Sequence, residues 1–187
     1  MSTICAVRKN GKICLAADTA TAFGDMVASS ELVESHTKMF CHDDTWFGII
    51  GSVAHSFALR EALHLAEKLD LTSTDAIYRS FLDLHAILKE ETFLKTDEEE
   101  DDPYESSQME LLLVNGSGLY TVHSYRDVIA YNRYWALGSG SDFALGAMRA
   151  VYDTAECEEI ARVGIDVGCE FDSASQLPLE IQVLDLD

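Results

Sequence analysis

Apolar and polar positions alternate through "TICAVRK" (3–9) and again through "KICLAAD" (12–18), with Asn10-Gly11 between them. Alternation sends successive side chains to opposite faces of a strand. Asn-Gly is the strongest short hairpin signal, so the chain is expected to open with a two-stranded antiparallel pair. Residues 19–37 are polar and poorly periodic. "KMFCH" and "TWFGIIG" predict a second hairpin around Asp43-Asp44. From Ser52 to Leu69 the pattern turns helical, with Ser52 as its N-cap. A second helix opens near Ser73-Thr74-Asp75 and sets Ile77, Phe81, Leu84 and Leu88 on one face.

The second half repeats this order. "MELLLVNGSGLYTVHS" reads as a hairpin turning at Asn115-Gly116, and "VIAYN" and "YWALG" follow as strands. Helices fit residues 140–152 and 157–171, and "LPLEIQVLDL" closes as a strand. Strands, two helices, strands, two helices and a strand make an α+β chain of two antiparallel sheets, each covered by a helix pair. The expected architecture is a four-layer αββα sandwich, a single domain over residues 1–187. No repeat of solenoid length interrupts it.

Composition narrows the classes. A chain of 187 residues with 48% apolar content and two prolines can bury a core of about 70% of its unfolded surface. No apolar run approaches the roughly 20 residues of a membrane span, and the N-terminus lacks a signal-peptide pattern. Cys5, Cys14, Cys41, Cys157 and Cys169 are odd in number and lack metal-ligand spacing, which points to reduced thiols and a cytoplasmic location. The net charge of -20 and the absence of a basic stripe argue against nucleic acid. "KTDEEEDDPYESS" (95–107) is an acidic exposed loop without the glycine of a calcium site. Were those charges to face an enclosed space, they would repel acidic polypeptides, a bias that salt should erase.

Catalytic signatures are sparse. H-E-x-x-H, a Walker loop, C-x-x-C and G-x-S-x-G are all missing, the six histidines show no metal pairing, and "GSGSDFALG" alone reads as a helix cap. Ser2 and Thr3 remain. Removal of Met1, favoured before a small residue, would leave Ser2 with a hydroxyl and a free α-amine. Such an amine titrates near 7.7–8.0 and can serve as the base for its own hydroxyl. Thr3, one residue along the strand, should face the opposite way.

Several segments together resemble the proteasome β-subunit family, in its HslV-like bacterial branch, from Ser2 to about Val183. The acidic balance and charged loop favour the betaproteobacterial proteasome homologues over HslV proper. "STICAVRKNGKICLAADTATAFG" is similar to the family's opening, with Asp18 sixteen residues after Ser2. "TKMF" resembles the segment of the catalytic lysine, giving Lys38. That lysine lies four residues beyond the usual spacing, where Glu34 stands, as if the preceding loop held an insertion. "IIGSVA" places the oxyanion glycine at Gly51. "ALGSGSDFA" places a proton-network serine at Ser139, and "DSAS" gives Asp172 and Ser175, although Gln176 and Leu177 replace the family's following glycines.

The resemblance implies an N-terminal nucleophile hydrolase: a self-compartmentalising peptidase in stacked hexameric or heptameric rings of identical subunits. Ser2 would stand where threonine is usual, with polypeptides as substrates and no cofactor. Thr21, Ile49 and Val53 would line an apolar specificity pocket. An ATP-dependent unfoldase would have to be a separate protein, since the chain has no nucleotide motif. Two alternatives stay open at this point: an inactive ring subunit that retains Met1, and an amidohydrolase of the same chemistry that forms no ring.

Overall fold

The computed structural model describes residues 2–24, 26–34, 37–96 and 103–186. Met1 and the centre of the acidic loop, residues 97–102, lie outside them. β1 (Ile4–Lys9) and β2 (Lys12–Asp18) form the expected hairpin, and Asn10 and Gly11 both take positive φ (52° and 75°), as a tight primed turn requires. β3 (Thr21–Phe23) and β4 (Met26–Ala28) make a small hairpin of their own. β5 (Met39–His42) and β6 (Thr45–Ile50) follow, then α1 (Val53–Leu65) and α2 (Thr74–Glu91). The second half runs β7 (Glu110–Asn115), β8 (Gly118–Val122), β9 (Val128–Tyr131), β10 (Tyr134–Leu137), α3 (Ser141–Val151), α4 (Cys157–Phe171) and β11 (Leu179–Asp185).

The strands assemble as an antiparallel sheet ordered β10-β1-β2-β11 and a second ordered β5-β6-β7-β8-β9. The period of two in β1 sorts its side chains into two cores. Ile4 and Ala6 join Ile13, Leu15, Leu112, Val114 and Leu119 in the layer between the sheets. Cys5 and Val7 face the other way, onto Met148, Ile160, Ala161 and Ile165 of α3 and α4. Under α1 and α2 lies a third core of Phe47, Leu59, Leu63, Ile77, Leu84, Leu111 and Leu113. The sheets meet closely enough that a Cβ on Gly48 would stand 2.8 Å from Ile4 Cγ2. The four-layer order is thus helices, sheet, sheet, helices. Among the described residues no helix is long and apolar enough to cross a membrane.

Four details differ from the sequence pattern. α1 ends at Leu65 rather than Leu69, because Ala66 turns extended (ψ 127°); Leu69 still packs on the core beyond the helix. The β7–β8 turn falls on Gly116 and Ser117, one residue later than expected, with Asn115 Oδ1 accepting from both Ser117 N (2.9 Å) and Gly118 N (3.2 Å). The polar segment 19–37 contains the β3–β4 hairpin. Finally, β9 and β10 are two residues apart yet belong to different sheets, and the Tyr131 and Trp135 rings stack across that crossing at 4.7 Å.

Candidate active site

The site forms where β1 begins. Asp18, at the end of β2, is buried, and both its oxygens are used. Oδ1 accepts from Thr3 N (2.9 Å) and Lys38 Nζ (2.6 Å); Oδ2 accepts from Ala20 N (3.1 Å) and Gln176 N (3.2 Å). Four donors fill the roughly four lone-pair positions of a carboxylate, so Asp18 pins four separate segments at one point. Lys38 and the Thr3 amide share a single oxygen, which sets the ammonium beside the first residues of the chain. The structure brings Lys38, and not the exposed Glu34, to Asp18. Lys38 is buried, and burial lowers its pKa against the opposing pull of Asp18. Cys169, on α4, is close to both, and burial pushes its thiol up to about 12, so it remains protonated.

A second set of contacts reaches the backbone nitrogen of Ser2. That nitrogen donates to Ser139 Oγ (3.2 Å), and Ser139 donates to Asp172 Oδ2 (2.8 Å). Ser175 Oγ donates to the same oxygen (2.6 Å). The helix-cap reading of Ser139 gives way here: α3 has Gly140 at its N-cap with no side-chain cap bond, and the serine is spent on Asp172. The glycines around it have a steric reason. A Cβ on Gly138 (φ +98°) would fall 2.1 Å from Ser2 O, and one on Gly140 would fall 2.0 Å from Thr3 Oγ1. Gly140 N also donates to Ser2 O (3.3 Å). Gly140→Ala should therefore lower the melting temperature, at a cost in the usual overpacking range of about 1–3 kcal/mol. Gly146→Ala on α3, where a Cβ meets nothing within 4 Å, should raise it. Thermal denaturation of the two variants checks the contrast.

Gly51 directly follows β6 with φ +140°, a conformation that favours glycine, and a Cβ there would meet His55 Nδ1 at 2.8 Å. Its neighbour Ile50 lies over Gly138: the side-chain Cδ1 would be 3.3 Å from a Cβ at that glycine, which also abuts Ser2 O. The strand end bearing Gly51 is thereby held near Ser2. Ser52 caps α1 and accepts from Ala54 N (3.3 Å), while His55 Nδ1 accepts from Ser52 N (3.3 Å). Burial lowers the pKa of His55, which favours the neutral ring that this bond needs. Of the expected pocket residues, Thr21 and Ile49 are buried and Ile49 faces the core beneath α1; Val53, on the first turn of α1, is partly exposed. Gln176 and Leu177 do not take positive φ, and Gln176 is engaged through its backbone, N to Asp18 Oδ2 and O from Thr19 N (3.3 Å), so their side chains can replace glycine without strain.

The family described as "Proteasome subunit" matches residues 1–184. The chain belongs to the proteasome subunit family. Among solved structures this proteasome subunit superposes on the Thiobacillus denitrificans BPH, a betaproteobacterial proteasome homologue, determined in complex with epoxomicin. The TM-score is 0.91 at 34% identity, covering 99% of each chain. The ATP-dependent protease subunit HslV of Lactiplantibacillus plantarum is 29% identical over 181 residues, covering 91% of this chain and 89% of the relative. The HslV of Trypanosoma brucei shares the fold, with a TM-score of 0.67 at 24% identity over 98% of this chain and 99% of that one. The αββα sandwich is the N-terminal nucleophile hydrolase fold of these relatives.

Three features of the proteasome subunit leave little trace in its sequence: the engagement of Thr3, the glycine contacts and the His55 cap. The "GSG" spacing and the pair Gly164 and Gly168, four apart on α4, were the available signals. A Cβ on Gly164 would press on Met148, and one on Gly168 would fall 2.5 Å from Thr3 Cγ2.

Proposed function

We propose that this chain is the subunit of a self-compartmentalising peptidase, with Ser2 as nucleophile once Met1 is removed. The observation that carries the reading is the double anchorage of the chain start: Ser2 N on Ser139 and Asp172, Thr3 N on the Asp18–Lys38 pair. Ser2 Oγ would attack the scissile carbonyl while the α-amine takes its proton and passes it to the leaving amine. Lys38, held by Asp18, would place positive charge where the alkoxide develops. The Gly51 amide would donate to the tetrahedral oxyanion, a contact worth about 3 kcal/mol in comparable sites. Ser139, Asp172 and Ser175 would orient the amine, and water would then hydrolyse the ester to release the second product.

The relatives support the same reading. The Lactiplantibacillus protein is an ATP-dependent protease subunit, and the Thiobacillus protein was solved with epoxomicin. By that likeness we infer a double ring of identical subunits, hexameric or heptameric, polypeptide substrates, an ATP-dependent unfolding partner, and a cytoplasmic location. The exposed Phe143 and Phe171 rings, 5.5 Å apart on α3 and α4, offer apolar surface for association. Thr21, Ile49 and Val53 would form the floor and rim of the first specificity pocket, with Val53 supplying its exposed apolar surface.

Intact-mass measurement before and after treatment with a peptide epoxyketone tests this directly. The expected result is a chain lacking Met1 that gains one adduct. A chain that keeps Met1 and forms no adduct would establish the inactive ring subunit instead. Native mass in the same series separates a ring from a free amidohydrolase.

A further inference from the structure

Thr3 is fully buried, and its side chain occupies a recess cut by two glycines. A Cβ on Gly140 would lie 2.0 Å from Thr3 Oγ1, and one on Gly168 2.5 Å from Cγ2. Its backbone is held on both sides, N to Asp18 Oδ1 (2.9 Å) and O from Asp18 N (3.1 Å). The hydroxyl lies 2.8 Å from Ser175 Oγ. Which oxygen donates follows from counting protons. Ser175 has one hydroxyl hydrogen and spends it on Asp172 Oδ2 (2.6 Å), so Thr3 must be the donor. Ser139 likewise spends its hydrogen on Asp172 (2.8 Å) and accepts from Ser2 N (3.2 Å).

Two neighbouring residues therefore hold the two ends of one hydrogen-bonded loop. One arm runs from Thr3 through Ser175 to Asp172; the other runs from Ser2 N through Ser139 to the same oxygen. Given the peptidase reading above, on which this rests, we propose that Thr3 is a positioning residue: its hydroxyl acts through Ser175 and Asp172 to set the acceptor that faces the α-amine of Ser2. The direction of its effect follows. A donor into Ser175 polarises that hydroxyl and strengthens its bond to Asp172. Without it the carboxylate keeps more charge and pulls harder on Ser139. Ser139 then becomes a better acceptor for the protonated amine. The other titratable groups around this point are Asp18, Lys38 and Cys169. None of them hydrogen-bonds the Thr3 hydroxyl, although Lys38 and Cys169 feel the charge of Asp172, and Cys169 that of Asp166 as well.

The test compares Thr3→Val, which keeps shape and removes the hydroxyl, with Thr3→Ser, which keeps the hydroxyl and removes the methyl. Thr3→Val should lower kcat about fivefold, the worth of one neutral hydrogen bond, with KM little changed. It should also move the acidic limb of the pH profile upward. Thr3→Ser should keep kcat and the limb while melting lower, since its methyl no longer fills the recess at Gly168. Ser175→Ala cuts the same link from the other side and should displace the limb in the same sense. Competitive labelling of the α-amine across pH reads its protonation without reference to turnover and should shift in step. A Thr3→Val enzyme with wild-type kcat, limb and labelling would overturn the proposal, as would a Thr3→Ser enzyme impaired as much as Thr3→Val. Epoxyketone labelling of the wild type in the same series keeps the two readings apart. No adduct on the wild type removes the peptidase reading and this proposal with it; an adduct with an indifferent Thr3→Val removes only this one.

Discussion

Lys38→Met is expected to abolish most peptide cleavage and to destabilise the fold, and the two losses should separate in a double variant. The methionine fills similar volume but leaves the Asp18 carboxylate buried with no cation, only three backbone amides. Breaking a buried pair from one side costs about 3–5 kcal/mol, which should appear as a clear fall in melting temperature. Catalysis should fall about a thousandfold or more, the scale seen when one member of a cooperating catalytic set is removed. Asp18→Asn combined with Lys38→Met removes both charges, so part of the lost stability should return; the rest stays lost, because the amide nitrogen faces backbone N–H donors on one side of the side chain. Activity should not return, since no cation then stands beside Ser2. Thermal denaturation and kcat/KM on the four proteins of this cycle check both statements. Recovery of activity together with stability would show that the pair holds the fold and does nothing for the reaction.

How far the sequence reveals this site depends on which atoms make it. The β1–β2 hairpin is legible because Asn10-Gly11 fixes turn and register together, and the strand period then places Ser2 and Thr3 on opposite faces. The helices α2 and α4 are legible because each sets apolar residues on one face. The β3–β4 hairpin is not, because strands of three residues are too short for a period of two to emerge. The step from β9 to β10 misleads in another way: two residues between strands look like a hairpin, and only the pairing of β10 with β1 shows the crossing. In the site itself, the family resemblance rather than residue type alone pointed to Asp18, Ser139 and Asp172. Three of the four donors on Asp18 are backbone amides, and the recess around Thr3 is an absence of side chains. Neither leaves a mark on residue identity beyond a few glycines. Lys38 is placed by the likeness of "TKMF" to the family's lysine segment, and it meets Asp18 despite the displaced spacing.

Ser2 is the position where one methyl group should matter most. Ser2→Ala keeps the α-amine and its bond to Ser139, so assembly and Met1 removal should persist while turnover and epoxyketone labelling vanish. Ser2→Thr tests a finer point. The start of the chain is fixed through Ser2 O, Thr3 N and Thr3 O, so on the proposed reading the orientation that decides attack is the χ1 of Ser2. Serine samples its staggered wells more evenly than a β-branched residue, and only one of them aims Oγ at the substrate. A β-methyl that removes one of the idle wells restores about 1 kcal/mol of orientation, which is roughly tenfold in kcat. The gain should lie in kcat rather than KM, because the ground-state contacts to substrate are unchanged. Single-turnover acylation of Ser2→Thr at saturating peptide, compared with the wild type, reads that step directly. An equal or slower rate would mean that the protein around Ser2 already holds Oγ in place without the methyl.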